Sequence, residues 1–414
     1  MNRSPGLERR RRSAPARRPL QPECSTLGLV LTTVSLCTFL VGCGEPPEAT
    51  PPAPDPGRLV IVGGALQEDN APVFEAVLEG RSGEGPVCVV PTAGSDPEEA
   101  IAGMVATLDE YGGSGTATGV FLPQGEPDRA RDPIIASELR GCSGFYFTGG
   151  SQSRILDVFL PAGDTTPAYR ALRERWLEGA VVAGSSAGAA MMSRIMISGG
   201  GSEEAVSHGV AGSADAEGVQ LRPGMGFFEP ILDQHFLARG RIGRLIVATI
   251  HPDTPPIGLG IDENTALVVD GGAATVVGAS GVVVVDGRQA SVLGPARATG
   301  VRVSVAGRGD RIDLDAFSIQ RGADKASLPE DGRPFQPDPD PFDRWAFLQA
   351  VSGLSRTSAS EATYDLRGVT LRITESEGFS ASAAAPEGGV EAAPDGLSAG
   401  PFEVDLVGPG PPVV

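Results

Sequence analysis

Residues 181–190, Val-Val-Ala-Gly-Ser-Ser-Ala-Gly-Ala-Ala, constrain what this chain can fold into more than any other stretch. Small apolar residues suit a buried parallel strand. Gly184, Ser186 and Gly188 then form a Gly-x-Ser-x-Gly turn, and Ala189-Ala190-Met191-Met192 continues as a helix. A strand that turns sharply into a helix lifts the Ser186 hydroxyl above a sheet edge, while flanking glycines keep side chains off the strained backbone. A serine hydroxyl is a weak nucleophile unless a base stands beside it. The N–H of Ala187, next in the chain, would sit at the helix start and help to hold an oxyanion. The same five residues also serve as a plain tight turn that permits close packing, so the rest of the chain decides between the two.

Short apolar runs at 58–64, 87–91, 118–122 and 143–148 alternate with helical stretches at 72–80, 96–111, 128–139, 152–159 and 165–178. That rhythm predicts an α/β fold with a parallel sheet. In such folds the site lies outside the carboxyl ends of the strands, where both Gly149-Gly150 and Ser186 fall. From residue 257 the rhythm changes. Four short strands separated by glycine turns, at 257–261, 265–269, 274–277 and 282–286, read as hairpins packed on the sheet edge. These elements make 58–313 one catalytic domain. Residues 314–377 form an extension of a Pro/Asp-rich linker (329–341), a helix (342–354) and a hairpin (363–374). Residues 378–414, rich in Ala, Gly and Pro, read as a disordered tail.

The first 20 residues carry seven arginines, and an apolar run at 26–41 ends in Leu40-Val41-Gly42-Cys43. A basic segment, an apolar segment and small residues before a cut site read as a signal peptide over 1–42. The run is short for a membrane span. The ending resembles a bacterial lipobox, which would leave Cys43 lipidated and the protein anchored in the cell envelope. An ordinary signal peptide and a secreted product are the alternative. Residues 43–57 read as a Pro-rich tether. Removal of 1–42 takes away seven Arg and two Glu and moves the formal net charge from −19 to −24. Such an acidic chain is a poor partner for nucleic acid. Of the 33 basic residues only Lys325 is lysine, so no single arginine is functional by composition alone. Cys88 and Cys142 both fall on predicted strands and read as two buried thiols, with a disulfide as the alternative.

The chain has three histidines, His208, His235 and His251, and a serine hydrolase takes its base from such a set. His208 lies in a Gly/Ser/Ala-rich loop and His251 precedes a proline. His235 opens the polar cluster Asp233, Gln234, Arg239, Arg241, Arg244. Three guanidiniums beside one carboxylate can grip a carboxylate-bearing substrate, although the same spacing also describes a solvated basic helix face. For the acid that orients the base, Glu263 at a strand end and Glu204 in the loop after the elbow helix compete, and spacing does not choose. No metal or cofactor is implied, since no His-x-x-His or Cys-x-x-Cys spacing occurs.

Four motifs, in order, carry a resemblance: Phe147-Thr148-Gly149-Gly150-Ser151-Gln152; the elbow Gly184-Ser185-Ser186-Ala187-Gly188-Ala189-Ala190; Asp233 to Leu245 (DQHFLARGRIGRL); and Gly260-Ile261-Asp262-Glu263-Asn264-Thr265-Ala266. Over about residues 58–313 the chain resembles the cyanophycinases, in the serine peptidase family that also holds the aspartyl dipeptidase peptidase E. The resemblance implies a flavodoxin-like parallel sheet flanked by helices, similar to class I glutamine amidotransferases, with a hairpin-rich carboxyl part, often as a homodimer. It implies hydrolysis of cyanophycin, an arginyl poly-aspartate, to β-Asp-Arg. By motif, Ser186 would be the nucleophile, His235 the base, and Glu263 or its rival Glu204 the acid. The N–H groups of Gly150 and Ala187 would form the oxyanion hole, and Gln152, Asp233, Gln234, Arg239, Arg241 and Arg244 would bind substrate. Two departures stand out. Ser151 occupies a position where Asp or Asn is usual, and the Ser186–His235 interval is a few residues long, with a loop at 199–217. The alternatives are a dipeptidase for aspartyl or isoaspartyl peptides and a non-catalytic surface lipoprotein on the same fold.

Overall fold

A computed structural model describes residues 56–408 apart from 214, 330–333, 367 and 385–395. The leader, Cys43 and the tether as far as residue 55 lie outside the described residues.

The first half alternates strands and helices: β1 (Leu59–Val62), α1 (Ala71–Glu79), β2 (Val87–Val90), α2 (Pro97–Gly112), β3 (Ala117–Gly119), α3 (Pro133–Arg140), β4 (Gly144–Phe147), α4 (Gln152–Phe159), α5 (Pro167–Leu177), β5 (Val181–Ser185) and the short α6 (Ala187–Ala190). Three of these helices start on one device, a capping side chain followed by proline. The Asp96 side chain accepts from Glu99 N, Asp132 from Ile134 N and Thr166 from Tyr169 N, and Pro97, Pro133 and Pro167 follow them. The proline has no N–H to leave orphaned, and the cap satisfies one that would be.

The five strands pair in parallel in the order β3-β2-β4-β5-β1. Strands β2 to β5 repeat the 2-1-3-4 order of a flavodoxin-like sheet, and β1 takes the next place. Both faces are covered, so the strands are apolar throughout: β1 sends Leu59 and Ile61 into one core and Val60 and Val62 into the other. Cys88 on β2 and Cys142 just before β4 form a disulfide with a Cα–Cα distance of 5.8 Å. This corrects the expectation of free thiols. The β2–β4 register sets Val87 opposite Gly144 and so brings the two sulfurs together.

Past the elbow come β6 (Ile195–Gly199), α7 (Ser202–His208), β7 (Gln220–Pro223), β8 (Ile231–Asp233) and α8 (Ile242–Thr249). The stretch expected as a loop at 199–217 thus contains a helix. Then follow β9 (Ile257–Ile261), β10 (Thr265–Asp270), β11 (Ala273–Gly278), β12 (Gly281–Asp286), β13 (Ser291–Gly294), β14 (Arg297–Gly307), β15 (Arg311–Asp313), β16 (Ile319–Gln320), β17 (Ala326–Ser327), α9 (Ala346–Leu354), β18 (Glu361–Leu366), β19 (Val369–Ala383) and β20 (Ser398–Val407). They do not simply cap the edge of the parallel sheet. Strands β10, β11, β15 and β16 extend it beyond β1, whereas β8, β9, β12, β14, β20, β19 and β17 build a second sheet in that order. Its strands alternate between two cores: Val282 and Val284 face the first sheet's core, and Val283 and Val285 face a separate one with α8 and α9. The tail expected as disordered therefore supplies the end of β19 and all of β20, while 385–395 and 409–414 lie outside the described residues. Phe402, Val404 and Leu406 of β20 are fully buried, which explains why this segment is ordered despite its composition.

The chain passes between the sheets several times, and two of these crossings are neighbours. The chain leaves the second sheet at the end of β9 and enters the first at β10; it leaves the first at β11 and returns at β12. The crossings are bonded to each other: Ala279 N donates to Asn264 O at 2.9 Å, and Ser280 N to Thr265 Oγ1 at 2.8 Å.

Candidate active site

The carboxyl ends of β4, β5 and β1 lie side by side; β4 leads into Gly150 and Gln152, β5 into Ser186, and β1 into Gly63-Gly64, which packs against the site. After β5 the backbone of Ser186 takes φ 56° and ψ −107°, a sparsely populated conformation for a side-chain-bearing residue. Ser186 N donates to Val62 O at 3.0 Å, which ties the turn to β1. A Cβ on Gly188 would overlap the carbonyl oxygen of Phe147, so only glycine lets α6 pack this close to β4. Gly149-Gly150, following β4, passes beside the elbow, and the Gly149 Cα carries no side chain toward Ser186 Cβ. The N–H of Ala187 opens α6, where a helix leaves its amides without internal partners.

His235 comes from the second sheet. It follows β8 through Gln234, with φ 47°, and its N–H donates to Gly63 O at 2.6 Å. Its Nε2 lies 3.0 Å from Ser186 Oγ and its Nδ1 lies 2.6 Å from Glu263 Oε1. Glu263 is a pure acceptor when ionised, so Nδ1 carries the proton and Nε2 is left to accept from the serine hydroxyl. Glu263 sits in the β9–β10 crossing. Asn264 there takes φ 52°, and its side-chain oxygen accepts from Gln67 N at 3.0 Å and Asn70 Nδ2 at 2.8 Å. Burial pulls the His235 imidazole below its ordinary value of 6.5; the bond to Glu263 opposes this, and Arg239 and Arg241 add to it. The ring is therefore neutral at neutral pH. The rival acid is elsewhere: Glu204 Oε2 accepts from Gly201 N at 3.1 Å and caps α7.

Asp233, Arg241 and Arg244 are spent on each other. The Asp233 carboxylate is buried and accepts from Arg244 Nε at 2.7 Å, Arg244 Nη2 at 2.5 Å and Arg241 Nη1 at 3.3 Å. Arg241 also donates to Gln234 O at 2.6 Å and Arg244 to Gly200 O at 2.7 Å. Burial alone would raise the Asp233 carboxyl, but the two guanidiniums outweigh it and hold the group below the ordinary carboxylate range. A charge taken out of water must be paired, so these residues brace the β8–α8 loop rather than present a three-arginine grip. Only Arg239 keeps a half-exposed side chain, with its Nε 3.9 Å from Glu263 Oε1. Gln234 Oε1 lies 3.5 Å from Ser186 Oγ, while the Gln152 amide donates to Ile197 O at 2.8 Å. Among the described residues no three His, Cys, Asp or Glu side chains gather as metal ligands.

Residues 59–277 match the sequence model of Peptidase family S51. The chain belongs to this family. It is 32% identical over 246 residues to the cyanophycinase of Trichormus variabilis, covering 58% of this chain and 75% of the relative. It is 30% identical over 278 residues to the cyanophycinase of Synechococcus elongatus, covering 64% and 81%. A solved peptidase from an acI-B1 Actinobacterium aligns with 21% identity and a TM-score of 0.45, over 62% of this chain and 97% of that one. This S51 protein is thus a serine-type peptidase.

Several groups around the S51 site escaped the sequence reading. Asp262, beside Glu263, is buried and accepts four bonds: Leu237 N at 3.1 Å and Ala238 N at 2.9 Å on Oδ1, Ser280 Oγ at 2.8 Å and Trp345 Nε1 at 3.3 Å on Oδ2. Burial raises its carboxyl, and these donors oppose the rise. Asp262 was visible as an acid at a strand end. Ser280 and Trp345 carried no local signal, because only the crossing of chains brings them near.

Proposed function

We propose that this S51 peptidase is an exported cyanophycinase that cleaves arginyl poly-aspartate to β-Asp-Arg dipeptides. The observation that carries the reading is the unbroken line Ser186 Oγ–His235 Nε2, His235 Nδ1–Glu263 Oε1, at 3.0 and 2.6 Å. In this mechanism His235 takes the hydroxyl proton as Ser186 Oγ attacks the peptide carbonyl. The N–H groups of Gly150 and Ala187 hold the oxyanion. The imidazolium then gives its proton to the leaving amine, and an acyl-enzyme remains on Ser186. Water, deprotonated by the same ring, releases the acid product and restores the serine. Glu263 keeps the imidazole in one tautomer and orientation throughout. Cyanophycin is the substrate named by the relatives. The Cys88–Cys142 disulfide supports a location in an oxidising compartment, in keeping with the leader at 1–42 and lipidation at Cys43.

The test is product release from insoluble cyanophycin by the chain lacking residues 1–42, with Ser186→Ala as control. Release of β-Asp-Arg by the first and none by the second is the expected result. A folded protein that releases nothing overturns the polymer reading. One observation favours a second reading: Arg241 and Arg244 are engaged with Asp233, which leaves Arg239 as the accessible cation of the cluster. A dipeptidase for aspartyl or isoaspartyl peptides needs fewer recognition groups, and a panel of such peptides separates the two.

A further inference from the structure

Residues 278–408 lie beyond the family match, yet one segment of them packs on the two loops that carry His235 and Glu263. The segment is Phe342–Trp345, the approach to α9. Trp345 N donates to Leu237 O at 2.8 Å, two residues after His235. The Phe342 carbonyl packs so tightly against Gly240, whose φ is 56°, that a Cβ there would overlap it. A Cβ on Gly243 would stand 2.8 Å from the Phe342 ring. The loop from His235 to α8 is thus clamped along its length by residues about a hundred positions downstream.

The clamp also touches Asp262. This carboxylate is bonded on one oxygen to the first two amides after Phe236, in the His235 loop, and is joined by a peptide bond to Glu263. It therefore spans the gap between the base and its acid. Its other oxygen accepts from the Ser280 hydroxyl and the Trp345 indole N–H. A buried carboxylate that loses a donor must turn toward another or drop its remaining bonds. A tilt of this side chain moves the His235 loop relative to Glu263. A rigid supporting shell of this kind is what keeps a 2.6 Å bond between two side chains of different loops short.

We propose that Trp345 is a positioning residue for the reaction: its indole N–H, acting through Asp262, sets the His235–Glu263 geometry, so that the carboxyl-terminal extension is part of the catalytic apparatus. The proposal rests on Ser186, His235 and Glu263 being the reacting set. Its test is independent of substrate identity. The full chain and its Trp345→Phe variant, which keeps a ring and loses the donor, are treated with phenylmethanesulfonyl fluoride, with Ser186→Ala as control. The limiting inactivation rate, the half-saturating reagent concentration, and the low-field proton resonance of the His235–Glu263 bond are measured.

The expected result is a limiting rate lowered about five- to twentyfold at unchanged half-saturation. The low-field resonance should weaken, while circular dichroism and the melting curve stay native. Wild-type rate and resonance in the variant overturn the proposal. So does a raised half-saturation at an unchanged limiting rate, which would make Trp345 a wall of the ligand path. Where Trp345→Phe fails to fold, Ser280→Ala removes the other donor to the same oxygen; it must lower the limiting rate in the same way, and an unchanged rate overturns the proposal. Inactivation that is equal in Ser186→Ala, with no low-field resonance in the wild type, overturns the underlying assignment of the reacting set, a failure distinct from the others.

Discussion

At the scale of single residues, the two candidate acids make opposite demands on experiment. Glu263→Gln leaves an amide facing His235 Nδ1 and frees the ring to hold the wrong tautomer, so kcat should fall by roughly three to four orders of magnitude with the fold intact. Glu204→Gln keeps an oxygen for Gly201 N, and both activity and stability should stay within about 0.5 kcal/mol of the parent. Steady-state kinetics and thermal melts of the two variants check both statements. The pH profile carries a sign. Protonated His235 cannot accept the serine proton, so activity falls as pH drops through its pKa, and burial places that midpoint below 6.5. An acid limb of kcat/KM centred well above 6.5 would contradict the assignment. Ser186 and His235 stood out in the sequence as candidates, because an elbow and a scarce residue type are local signals, whereas Glu263 stood level with Glu204, since a strand-end acid and a loop acid differ only in which tertiary neighbour they meet. The fate of Asp233, Arg241 and Arg244 was not legible there. The i,i+3 spacing of Arg241 and Arg244 is the same whether the guanidiniums face water or a buried carboxylate, and only tertiary packing makes that choice.

At the scale of elements, the β8–α8 connection depends on a charge pair that has nowhere else to go. Arg244→Leu would leave Asp233 buried with Arg241 as its sole cation, and should cost about 3–5 kcal/mol in urea unfolding. The paired change Asp233→Leu with Arg244→Leu should cost less, since the buried carboxylate goes with its main partner and only Arg241, which keeps its bond to Gln234 O, loses a counter-charge. The strand–helix rhythm of the first half was readable because both signals are short-range: apolar runs for buried strands, and a cap-proline pair at helix starts. The second half defeated that approach. Strands β9 to β12 are consecutive and similar in composition, yet alternate between two sheets in pairs. Periodicity shows that a strand is half-buried, but not which neighbour buries it.

At the scale of the whole molecule, residues outside the family match are structural necessities. A chain ending at residue 313 would lack β19 and β20. It would uncover the edge of β14, where Val301, Val303 and Val305 are buried, and should be recovered as aggregate rather than as an active fragment. Soluble, active 56–313 protein would contradict this. The disulfide closes a 54-residue separation, and Cys88→Ser with Cys142→Ser should lower stability by about 4 kcal/mol on the chain-entropy account, measured in urea. The two crossings give a further consequence. Ser186 is carried by one sheet, and His235 and Glu263 by the ends of strands in the other, so the proposed reacting line works like a vernier scale laid across a joint. Slippage of a fraction of an ångström along the joint spoils the reading while each half keeps its own strands paired. Chemical competence of the serine should then disappear at lower urea than the far-ultraviolet signal of the sheets, and the gap between the two curves measures how firmly the joint is closed.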